Sequence, residues 1–185
     1  MKKTVCVLLA NGSEEMEVVI CVDVLRRAGI DVLLAGVGDA TPTIAASRGV
    51  RIAPDSAWDA AEASRFDAIV IPGGMGGTQV LRRDESVKQA IRDFSEVGKI
   101  VAAICAGPLV LQDAGVLDDR TLTCHPGVRE ELTVGTWVDQ PVVRDGHLVT
   151  SQAPGTTFAF ALTLVEILVD ADTARKIAGD MRVAW

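Results

Sequence analysis

The chain reads as an α/β protein: a mostly parallel sheet, doubly wound, with helices on both faces. Three observations predict this. Short apolar runs of strand length, at residues 5–10, 68–71 and 100–104, carry no charged residue, as strands buried on both faces require. Between them lie stretches with apolar residues at helical spacing, such as Val87, Ala90, Ile91 and Phe94. The two patterns alternate along the chain, and strand–helix alternation places neighbouring strands parallel.

Residues 4–10 are the first predicted strand. Asn11-Gly12 turns, Ser13 is placed to cap, and Glu14-Glu15 favour the positive end of the next helix. That helix runs to about Ala28, where Gly29 closes it. Residues 31–35 form a second strand, and residues 41–59 are irregular apart from a short strand at 50–52. The strand at 68–71 ends in Pro72-Gly73-Gly74-Met75-Gly76-Gly77, and a helix spans 84–97. The run Ile100–Ile104 is the central buried strand, and Gly107-Pro108 opens a helix that Gly115 ends. A further strand at 121–124 leads to His125-Pro126-Gly127. Residues 140–151 form a hairpin turning at Asp145-Gly146, followed by helices over 156–168 and 171–178.

The 185 residues suit one domain, 1–185, with room for a core. Aromatics are only 4% and Tyr is absent, so packing rests on Val, Ile, Leu and Ala. A net charge of −7 argues against binding nucleic-acid phosphates or an anionic membrane surface. Four cysteines without a C-x-x-C pair indicate neither a zinc ribbon nor a disulfide framework, and point to a reducing cytoplasm. Met1-Lys2-Lys3 imitates the start of a leader, but the apolar run after it is too short and meets Glu14-Glu15. The apolar stretch at 158–169 is interrupted by Thr163 and Glu166 and is too short to span a bilayer.

In parallel sheets ligands bind beyond the carboxyl ends of the strands. Cys105 falls there, on a tight strand-to-helix turn flanked by Ala103, Ala106 and Gly107. Such a turn is the nucleophile elbow, which lifts one reactive side chain out of the sheet. Helix N-terminal N–H groups there would favour the thiolate. Cys6 and Cys21 lie in apolar runs and read as inert core residues. Gly73 and Gly74, with the N–H of Ala106, could form an oxyanion hole, or the pair could simply serve a turn. The glycine run lacks G-x-G-x-x-G spacing and a Walker lysine, so no dinucleotide or other cofactor is expected. Glu14 and Glu15 read as servants of the helix start. Glu17 lies one turn deeper, where a buried carboxyl could stay protonated and shuttle protons. His125 could assist Cys105 as a base or be an ordinary strand-end residue. His147 is expected to face solvent. Cys124-His125 has no further ligands at useful spacing, so no metal is expected.

The segments 10–17, Pro72-Gly73-Gly74, 102–108, Thr123-Cys124-His125-Pro126 and 150–156 together resemble the ThiJ/PfpI family, within the class I glutamine amidotransferase-like superfamily. The similarity is strongest to its DJ-one branch. It runs in order over residues 4–166. The resemblance implies a flavodoxin-like sandwich and a homodimer. It makes Cys105 the reactive thiol, Glu17 its protonated hydrogen-bond partner, His125 an auxiliary, and Gly73, Gly74 and Ala106 the backbone donors. It implies a glutathione-independent glyoxalase turning methylglyoxal into lactate, or a protein deglycase. An oxidation-sensing protein or holdase using the same cysteine is the alternative reading. The peptidase-like branch places a histidine directly after the cysteine, where this chain has Ala106. Related amidotransferases carry a later His-x-Glu, whereas Pro126-Gly127 follows His125. Both departures disfavour a peptidase-type triad. Gln152 stands where some members of the branch have arginine, so an anion site there is not carried over.

Overall fold

The computed structural model describes residues 2–38 and 42–184. Met1, at the leader-like start, and Thr41, the first residue of the expected irregular stretch, lie outside the described residues. The strands are β1 (Thr4–Leu9), β2 (Asp31–Gly36), β3 (Ile44–Ala45), β4 (Arg51–Ile52), β5 (Ser56–Ala57), β6 (Ala68–Ile71), β7 (Ile100–Ile104), β8 (Thr121–Leu122), β9 (Thr136–Trp137), β10 (Val142–Asp145) and β11 (Leu148–Ser151). The helices are α1 (Glu15–Arg27), α2 (Met75–Arg83), α3 (Glu85–Glu96), α4 (Pro108–Ala114), α5 (Thr157–Leu168) and α6 (Ala171–Met181).

A seven-stranded sheet has the order β10-β11-β7-β6-β1-β2-β5. Its pairings are parallel except for the β10–β11 hairpin. Both faces are buried, so side chains of period two meet two separate cores. Val5, Val7 and Leu9 of β1 face α1, α5 and α6, packing with Val24, Leu25, Phe160 and Ile177. Cys6, Leu8 and Ala10 face the other way, toward Leu81, Ile91, Phe94 and Val110 of α2, α3 and α4. Phe160 is fully buried, and cutting it to alanine would cost about 3–5 kcal/mol.

Three expectations are corrected. The glycine run after β6 is not only a turn, because Met75–Arg83 is helical. Ser13 does not cap α1. Its Oγ instead accepts the Ala10 N–H at 3.0 Å, and Glu14 takes the cap position. The strand before His125 is not part of the main sheet: β8 pairs in parallel with β9. The sheet position beyond β11 is filled by β10, whose short hairpin loop makes that pairing the local one.

Candidate active site

The chain ends β7 at Ile104 and enters α4 at Pro108. Cys105 takes the whole reversal, with φ of 63°, left-handed for a non-glycine residue. That conformation costs on the order of 1 kcal/mol or more and persists only where neighbours hold it. Three backbone hydrogen bonds do so: Cys105 N–H to the Ser151 carbonyl (3.0 Å), Gly107 N–H to the Ile104 carbonyl (2.8 Å), and His125 N–H to the Cys105 carbonyl (3.0 Å). Cys105 is half-buried, whereas Cys6, Cys21 and Cys124 are buried.

Glu17 enters from α1 and is 0% exposed. Its Oε2 accepts the Gly73 N–H at 2.7 Å, and its Oε1 has no hydrogen-bond partner among the described residues. Gly73 is glycine because of this crowding: a Cβ there would lie 2.5 Å from Cys105 Cβ and 2.9 Å from both Cys105 Sγ and Glu17 Oε2. Burial pushes the Glu17 carboxyl up to about 7, against the pull of the Gly73 N–H and of Cys105, and the charge of Glu14 adds to the rise. Burial and the Glu17 charge push the Cys105 thiol up to about 12, while the Gly74 and Ala106 N–H groups pull it down. The thiol is therefore not lowered by the helix start alone, as the sequence suggested. Desolvation and a neighbouring carboxylate outweigh two N–H donors. Thiol and acid form one coupled pair that resists losing both protons.

The expected oxyanion trio also divides. The Gly73 N–H is committed to Glu17. Those of Gly74 and Ala106 act on the Cys105 thiol, pulling it down against burial. The Gly73 donor thus serves the acid rather than a substrate oxygen.

His125 reaches the site from outside the main sheet. Its Nδ1 accepts the Gly127 N–H at 3.0 Å, capping a short helical turn. A backbone N–H only donates, so Nδ1 is unprotonated and the neutral ring carries its proton on Nε2. In that state His125 can donate through Nε2 toward the cavity that Cys105 borders. His147 is half-buried, with its Nε2 3.1 Å from Ser95 Oγ. Gln152 donates to Asp139 Oδ1 at 2.8 Å.

A cavity of about 260 Å³ opens on the thiol, bordered by Cys105, Ala106 and His125 and by Glu14, Ser47 and Arg48. Ser47 and Arg48 were not legible in the sequence, lying in a stretch read as irregular. They sit in the loop between β3 and β4, which pair as a hairpin. Ser47 Oγ lies 2.6 Å from Glu14 Oε2 and 2.8 Å from Glu15 Oε2. Burial works against the Glu15 charge, yet hydrogen bonds from its own N–H, Ser47 and Arg48 hold its carboxyl below the usual value. Glu15 therefore anchors this loop, beyond any service to the helix start. Among the described residues no cluster of metal-ligating side chains occurs.

The DJ-1/PfpI family matches residues 3–167 of this chain. The chain belongs to that family. It is 39% identical to protein dj-1beta of Drosophila melanogaster over 187 residues, covering all of both chains. It is 42% identical to the Parkinson disease protein 7 homolog of Danio rerio, covering 95% of this chain and 94% of that one. A glutathione-independent glyoxalase of Caenorhabditis elegans, DJR-1.2, is 37% identical, with 90% and 89% covered. The crystal structure of Drosophila melanogaster DJ-1beta superposes with a TM-score of 0.95 at 40% identity over all of both chains. An oxidized Toxoplasma gondii DJ-1 gives 0.93 at 35% identity, covering 99% of this chain and all of that one. The mostly parallel sheet between helical layers is thus the flavodoxin-like fold of DJ-1/PfpI proteins, and enzymatic activity is a property of the family. No described helix is long and apolar enough to cross a membrane.

Proposed function

We propose that this protein is a cysteine-dependent enzyme acting on reactive dicarbonyls, converting methylglyoxal to lactate without glutathione. The observation that carries the reading is Glu17, fully buried beside Cys105 and pinned by Gly73. Glu17 takes the thiol proton as the Cys105 sulfur attacks the aldehyde carbon and passes it to the oxygen formed, giving a hemithioacetal. Glu17, again a carboxylate, removes the proton from that carbon to give an enediolate and returns it to the neighbouring carbon, while the hydroxyl proton crosses from the first oxygen to the second. The result is a thioester of the 2-hydroxy acid. Water cleaves it, releasing lactate and restoring the thiol. The Gly74 and Ala106 N–H groups support charge on sulfur, and the Nε2–H of His125 supports charge on substrate oxygen. Protein deglycation begins with the same pair. Lactate formed from methylglyoxal without glutathione, and lost in Cys105→Ala, tests the proposal; turnover equal to buffer rejects it.

The half-buried state of Cys105 favours a second reading, as an oxidation sensor or holdase. Mild peroxide should then add oxygen to Cys105 before Cys6, Cys21 and Cys124, a sequence that mass spectrometry of the peptides reads directly. The reduced cysteines also suit a cytoplasmic home. Met16 and Val19, each about half exposed on α1, support a homodimer through that face. Sedimentation of Val19→Glu should then show monomer, and an unchanged sedimentation coefficient would reject this face.

A further inference from the structure

Ser95 and His147 meet at the opposite end of β7 from Cys105. Ser95 lies in the last turn of α3, shortly before β7, and His147 directly precedes β11. A serine or threonine within a helix can turn its hydroxyl back on the carbonyl four residues earlier, as Thr163 Oγ1 does toward Ala159 at 2.8 Å. Ser95 Oγ instead lies 3.1 Å from His147 Nε2. Both backbones are held. The Ser95 carbonyl accepts the Gly98 N–H at 3.2 Å, and the His147 carbonyl accepts the Val101 N–H at 3.0 Å. Burial and the Arg120 charge keep the His147 ring below its usual value, against the Asp145 charge, so at neutral pH it is an uncharged base. Asp145 is itself fixed, its Oδ2 accepting the Thr121 N–H at 2.8 Å, and its charge supports an imidazolium formed in passing. Ser95 borders a cavity of about 320 Å³ together with Arg92, Arg120, Glu96 and Asp118. Arg92 is closed on Glu85 at 2.6 Å. Arg120 is not closed in this way. Its Nη1 stands 3.6 Å from Asp145 Oδ1, beyond hydrogen-bond length, which leaves its N–H groups for an oxygen in the cavity. A hydroxyl on a neutral imidazole, a cavity and a spare cation are the parts of an acyl-transfer site.

We propose that Ser95 is a second nucleophile of this protein, activated by His147, and that the cavity it borders hydrolyses small uncharged esters. Ser95 Oγ bonds to the acyl carbon as its proton passes to His147 Nε2, and Arg120 meets the charge that develops on the carbonyl oxygen. The bond from that carbon to the alcohol oxygen then breaks, and the alcohol leaves with the proton from Nε2. Water cleaves the acyl-serine by the same route, releasing the acid and restoring the Ser95 hydroxyl. Glu96 and Asp118 on the cavity edge offset the two arginines, which favours an uncharged ester over an anionic one. No step uses Cys105 or Glu17.

Cys105→Ala is the background for the test, because a thiol also attacks esters. A fluorophosphonate that marks activated serines should modify this protein at Ser95, as peptide mass spectrometry reads. The same protein should hydrolyse p-nitrophenyl acetate faster than buffer. Adding Ser95→Ala, a change that favours the helix, should abolish both. Adding His147→Gln should slow both about 10²-fold, the worth of a general base. Adding Arg120→Gln should slow the hydrolysis about 10²-fold, the worth of one oxyanion donor. No adduct, an adduct on a different serine, hydrolysis that survives Ser95→Ala, or labelling of His147→Gln at the background rate would overturn the proposal. Cys105 is absent throughout, so a failure here is distinct from a failure to form lactate.

Discussion

The Gly73 N–H donates to Glu17 Oε2 at 2.7 Å, and this bond fixes a buried acid against the thiol. It ties the end of β6 to the first turns of α1, two elements more than fifty residues apart in sequence. The site is therefore a product of the tertiary fold, with only the elbow itself local.

Gly73→Ala should damage that relationship first. The added methyl would fall 2.5 Å from Cys105 Cβ, a distance that side chains cannot share. Overpacking of this kind costs about 1–3 kcal/mol. A lower melting temperature, together with loss of methylglyoxal turnover, is expected from thermal denaturation and lactate assay.

Glu17→Gln preserves shape and removes the exchangeable proton. Turnover should fall by about 10²–10⁴, the usual worth of a general acid–base. Iodoacetamide should still capture Cys105. A variant that turns over normally would show that Glu17 moves no proton in the reaction.

The buried acid also sets a pH dependence of stability. The Glu17 carboxyl rises from an ordinary 4.5 to about 7 in the fold, so the native state holds its proton more tightly than the unfolded chain. Its stabilising contribution is complete below the unfolded value and is lost as pH rises through about 7. Relative to Glu17→Gln, the parent should lose on the order of 3 kcal/mol across that window. Urea unfolding of both proteins at acidic and alkaline pH measures the difference.

His125 has two roles that substitutions can part. Asparagine can still accept the Gly127 N–H, because it is a good capping residue, but it lacks the Nε2–H. His125→Asn should keep its melting temperature and lose turnover about tenfold. His125→Ala should lose both, with a stability cost of about 1 kcal/mol. Equal melting temperatures for the two would show that the cap contributes nothing.

The central sheet was legible because strands buried on both faces leave uninterrupted apolar runs, and Cys105 because small residues crowd its turn. What escaped depended on contacts distant in sequence. Gly76-Gly77 looked like loop residues, yet they lie in α2. A Cβ on Gly77 would meet Ser13 Oγ at 2.4 Å, so the glycine answers close packing against the β1–α1 turn and not a need for reversal. Ser47 and Arg48 carry no periodic signal, and only the fold brings them to Cys105. Glu15 looked like a helix-start acid, since its partners Ser47 and Arg48 are more than thirty residues away. Cys105 itself looked like a lowered thiol, since what raises it is burial by the tertiary fold and the Glu17 charge arriving from α1.

The most direct test is the infrared spectrum of the Glu17 carboxyl, taken as the difference between the parent and Glu17→Gln. At about pH 6, where an ordinary glutamate is ionised, the parent should show the carbonyl stretch of an uncharged acid that the variant lacks, and this band should fade as pH rises through about 7. A parent with no such band at about pH 6 would place an ionised Glu17 beside Cys105 and contradict the raised carboxyl on which the account rests.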